Sequence, residues 1–210
     1  MLNTIFAVVA SIVVAANGSQ ALFEQKYSLL DRHQDAFVNS VFSDNILLTL
    51  FYMDGRVKEG DEVLWDEVRT PREYRLTLNP SETFAFHDFV LPKYEGKVAK
   101  TTNAHFNFSQ GFKSDGYLMG DGVCHLASFM YVAAKASGLF AESSVNHDFD
   151  NIPGVPRELG VSIYFQPDNR TGSGMQNLYI TNTKEFPIAF VFTKDGDSLN
   201  VAVEEVKTLQ

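Results

Sequence analysis

The stretch from Cys124 to Ser137 constrains the fold more than any other part of this 210-residue chain. It is apolar and alanine-rich, and Gly138 follows it as a natural helix stop. Leu126, Phe129, Met130, Val132 and Ala133 cover more than one face of the predicted helix. A surface helix hides one stripe, whereas a helix apolar on several faces must be wrapped by other elements. The remaining periodic segments are mostly short runs bounded by turn residues, which read as strands. The expectation is therefore an α+β fold, with one central helix packed on a largely antiparallel sheet and a strand-rich C-terminal half.

Several segments fill in that plan. Phe23 to Ser43 carries apolar residues at roughly helical spacing. Asn45 to Met53 is a continuous apolar run that reads as a buried strand ending at Asp54-Gly55. Glu62–Val68, Glu73–Leu78 and Thr83–Phe86 read as strands, as do Leu159–Phe165, Gln176–Thr181, Pro187–Phe192 and Leu199–Val206. Lys194-Asp195-Gly196-Asp197 marks a hairpin between the last two. Eighteen phenylalanines point to an aromatic core.

The helix begins after two glycines, in Gly120-Asp121-Gly122-Val123-Cys124-His125. Backbone N–H groups at a helix start lack intrahelical partners and carry partial positive charge, which favours a thiolate. Cys124, the only cysteine, is thus a candidate nucleophile, and His147 a candidate base. The competing reading is a small buried hydrophobe. Glu158 is the candidate orienting acid, with Asp148 and Asp150 as rivals. The N–H groups of Val123 and Cys124 are candidates for an oxyanion hole, and Gly120, Asp121, Gly122 and His125 for the pocket wall. Cys124, His147, His87 and His105 are zinc-ligand types, but no paired-ligand spacing is present, so neither a metal nor a cofactor is expected.

A formal net charge of -9 argues against a nucleic-acid partner and against docking on an anionic membrane. The first 23 residues carry no charged side chain. Ile5 to Ala16 is apolar, and Ser19 and Ala21 have the small-residue spacing of a signal-peptidase site. Residues 1–21 therefore read as a secretory signal or, uncleaved, a membrane anchor, although the leading segment lacks Lys and Arg. A buried core helix is a third reading. No later segment reads as a bilayer span.

Two motifs and their order are similar to those of the VanW-like family, named for an accessory protein of vancomycin-resistance clusters. Leu78-Asn79-Pro80-Ser81-Glu82-Thr83-Phe84 resembles its proline-glycine-glutamate-threonine-phenylalanine motif, and Gly120 to Ser128 its glycine-glycine-glycine-isoleucine-cysteine-glutamine motif. Asn182-Thr183 and Pro187-Ile188 resemble its closing pattern. Asp121 stands in place of a glycine and His125 in place of the glutamine. The resemblance covers residues 76–206, leaving 22–75 as an N-terminal helix and strands. It implies a bacterial, exported cell-envelope protein meeting peptidoglycan or cell-wall peptide, and it supplies no reaction. Two function classes follow: a thiol-dependent acyl-transfer or hydrolytic enzyme on cell-wall peptides or amides, or a non-catalytic envelope module. A looser similarity to the transglutaminase and papain-like order of Cys, His and acid is a fold-level analogy.

Overall fold

The computed structural model describes residues 21–116 and 120–207. The expected signal or anchor over residues 1–21 lies, but for Ala21, outside them. The fold is α+β. One four-stranded sheet has the order β1-β8-β7-β2, from β1 (Ala21–Ser28), β2 (Arg72–Leu78), β7 (Ile188–Asp195) and β8 (Ser198–Glu205). All of its neighbours run antiparallel. The second has the order β4-β3-β6-β5, from β3 (Thr83–Ala85), β4 (Val98–Lys100), β5 (Phe140–Ser143) and β6 (Leu178–Thr181), with only β3 and β4 parallel.

The predicted central helix is α3 (Val123–Ala136). It packs on β1 and β8 of the first sheet, β5 and β6 of the second, and on helix α1 (Ala36–Met53). Phe129, fully buried, stacks on Tyr27 of β1 at 3.7 Å. Gly138 stops the helix at φ 68°, and Leu139 N–H folds back to the Ala134 carbonyl at 3.0 Å. The Gly196-Asp197 turn between β7 and β8 also matches expectation, with Asp195 opposite Ser198.

The N-terminal third departs in part from the sequence reading: residues 36–43 of the helix expected over Phe23–Ser43 lie in α1, but its beginning does not form helix. Phe23–Ser28 is strand, not helix: Gln25 and Tyr27 are more buried than Glu24 and Lys26. So short a segment satisfies both periods, and pairing with β8, some 175 residues away, decides. Asn45–Met53 is the C-terminal half of α1, not a strand. Asp44 to Tyr52 is buried without a break, so the run lacks the stripe that marks a helix. Asp35 opens α1 by accepting from Phe37 N–H at 2.9 Å and Val38 N–H at 3.0 Å. By length and composition α1 is apolar enough to cross a membrane, but it is a core helix here. Glu62–Val68 contains only the single turn α2 (Trp65–Val68). Leu159–Phe165 is not a sheet strand: Leu159 closes the turn Arg157–Leu159, and the rest makes one isolated bridge, Asn146 to Val161.

The two flanking motifs of the resemblance touch. Asn182 Nδ2 donates to the carbonyls of Leu78 and Phe186, and Ser81 N–H donates to the Asn182 carbonyl. They therefore serve as a joint between the sheets.

Candidate functional site

Two close approaches build the site. Gly122, at φ 93°, lies so near α1 that a Cβ there would sit 2.4 Å from the Phe42 carbonyl oxygen. Asn45 of α1, fully buried, ties down the same loop: its Nδ2 donates to the carbonyls of Lys113 and Asp121, each at 2.9 Å, and its Oδ1 accepts from Lys113 N–H. Sequence reasoning missed Asn45, because nothing in a buried apolar run announces a clamp on residues 68 and 76 positions away.

The other face of α3 grips the extended segment 161–163 with side chains. Ser128 Oγ donates to the Cys124 carbonyl at 2.7 Å and accepts from Val161 N–H at 2.9 Å. Cys124 Sγ accepts from Ile163 N–H at 3.3 Å and faces the Ile163 carbonyl at 3.6 Å. His147 is held next to that segment, its N–H donating to the Gly160 carbonyl at 3.2 Å. Ser128→Ala should cost about 1–3 kcal/mol in denaturant unfolding, because it strands the buried Val161 N–H.

A cavity of about 220 Å³ opens beside these elements. Cys124, His125, His147, Gly120, Asp121 and Gly122 all line it, so the structure brings most of the expected site together. Glu158 is the exception. It is exposed on the turn Arg157–Leu159 and does not line the cavity, which Asp150 lines instead. Val123 is turned away as well: its N–H donates to the Gly120 carbonyl at 3.0 Å, so it is not available to an oxyanion, and its side chain lines a neighbouring cavity with His105.

The electrostatics reverse the expected thiolate. Burial pushes the Cys124 thiol up to about 11, outweighing the Ile163 N–H that favours the anion. Burial also depresses His125 to about 3 and lowers His147, with backbone carbonyls and the Asp150 and Asp148 carboxylates pulling His147 the other way. Near neutral pH the site holds a thiol and neutral imidazoles, not an ion pair. Asp121 is raised to about 6, first by burial and also by the Asp115 carboxylate, against the Asp115 N–H that it accepts at 3.0 Å and that favours the anion.

His125 is 4% exposed, and its Nδ1 has no hydrogen-bond partner among the described residues. Its ring meets Phe42 edge-on at 4.9 Å and His147 at 6.3 Å. The other expected ligand types are elsewhere. His87 is buried between Asn177 and the Gln176 carbonyl, and His105 pairs with Asp88 at 2.9 Å while stacking on Phe165 at 4.0 Å. Among the described residues no three His, Cys, Asp or Glu side chains converge to hold a metal ion. No family model, curated protein or solved structure matches the chain.

Proposed function

We propose that this chain is an extracytoplasmic cell-envelope protein of the VanW-like type, and that its Cys124 cavity binds cell-wall peptide material without turning it over. The location rests on the uncharged apolar N-terminal segment and on the motif resemblance. The binding reading rests on one observation above all: Cys124 is a half-buried, hydrogen-bonded thiol at the wall of a lined cavity, with its pKa moved away from the thiolate.

A second reading, thiol-dependent acyl transfer or hydrolysis of cell-wall amides, draws on the placement of Cys124 and His147 on one cavity. Alkylation separates the two. With a pKa near 11 against about 8.5 for a free thiol, the thiolate fraction at pH 7.5 falls roughly 100-fold or more. Because a higher-pKa thiolate is intrinsically the stronger nucleophile, part of that factor is returned, and iodoacetamide should label the native protein about tenfold or more slower than a free thiol, with full labelling in denaturant. Labelling faster than a free thiol, or turnover of muropeptides lost in Cys124→Ala, would reinstate the enzyme.

A further inference from the structure

We infer that the cavity beside Cys124 receives an aliphatic primary ammonium group, the end of one side chain of a larger ligand. This rests on the binding reading above and names the chemistry of the part that enters. Asp115, Asp121 and Asp150 line the cavity, and among the described residues no Lys or Arg does. An anion would meet acceptors and negative charge there. The second observation is independent of the acids. His125 is buried in the same wall with Nδ1 lacking a partner among the described residues, and it stays neutral at physiological pH. A neutral imidazole offers a lone pair, and an ammonium brings three donors with no acceptor. Phe149 and Tyr164, both exposed at the cavity, add ring faces that attract a cation.

Size narrows the occupant. About 220 Å³ is less than the ~300–1,000 Å³ typical of sites that enclose a whole small molecule. It suits the tip of a diamino-acid side chain, with the rest of the ligand outside.

The test is a titration of the purified chain, followed by NMR of the histidine ring signals, with Nα-acetyl-lysine amide and its Nε-acetylated analogue. The free amine should bind saturably and shift His125 and His147, while the acetylated analogue should leave them unmoved. Asp121→Asn, which keeps the acceptor for Asp115 N–H, should weaken binding about tenfold for one lost charge contact. Asp150→Asn, on the exposed loop, should weaken it too and guards against a folding defect in the first variant. Glu158→Gln should change nothing. Equal binding of both lysine probes, or undiminished binding in both aspartate variants, overturns the ammonium assignment. A parallel titration with soluble muropeptides, native or fully N-acetylated, separates the two levels. Equal binding of both muropeptides overturns the ammonium and leaves the peptide-binding reading standing, whereas binding of neither overturns both.

Discussion

Gly122→Ala should destabilise the protein by about 3–5 kcal/mol, the sum of left-handed backbone strain and overpacking against a main chain that has no rotamer to yield. At φ 93°, the new Cβ would lie 2.4 Å from the Phe42 carbonyl oxygen and 2.8 Å from its Cα. That is a large share of the ~5–15 kcal/mol by which a domain of this kind is stable. Gly55→Ala is the matched control. Its φ is 71°, but nothing lies within 4 Å of the added methyl, so only the strain of about 1–2 kcal/mol remains. Urea unfolding of both variants measures the difference. Equal losses would show that α1 and the opening of α3 can separate without cost, and that the cavity wall is not held as described.

Acid should unfold the protein well before its carboxylates are fully titrated. His125 and His87 are depressed by burial to about 3 and about 4 in the folded state. Their folded pKa values lie below the unfolded value near 6.5, so the unfolded chain takes up protons first as pH falls. The stability these neutral rings contribute is full above about pH 6.5 and is lost progressively down to pH 4 and 3. Asp121 acts in the opposite sense. Raised to about 6, it keeps its proton longer in the folded state, so falling pH through 6 to 4 relieves part of the burden. Half-exposed, it offsets a minor share. The net loss between pH 7 and 4.5 is on the order of 4 kcal/mol. His125→Gln should remove roughly half of that slope, read from urea midpoints across the pH range. A midpoint that stays flat from pH 7 to 4.5 would mean that neither ring is buried as drawn.

Legibility of the fold followed how local each signal was. The α3 span, its stop at Gly138, strands β2, β3 and β6, and the β7–β8 hairpin were readable because glycine freedom, apolar periodicity and turn chemistry act within a few residues. The N-terminal third was readable only over residues 36–43, the first turns of α1. Phe23 to Ser28 has its strand conformation selected by β8, and Asn45 to Met53 is buried on every side, which erases the amphipathic mark of a helix. The same division runs through the site. Cys124, His125, His147 and the glycines could be named from residue type and order, and they do share one cavity. The choice of Asp150 over Glu158, both candidates by residue type, could not be made, because both acids sit in one irregular loop region that is tied down by the bridge between Asn146 and Val161.

What the sequence determined by itself is the position of a thiol at a glycine-opened central helix, since helix starts, stops and apolar faces are properties of neighbouring residues. What only the tertiary structure decided is the state of that thiol. A helix start favours the anion, but Ile163, 39 positions away, seats its backbone on the sulfur, and the packing around it strips away part of the hydration a thiolate needs. Desolvation is a property of what surrounds a group in space, and those surroundings come from distant parts of the chain.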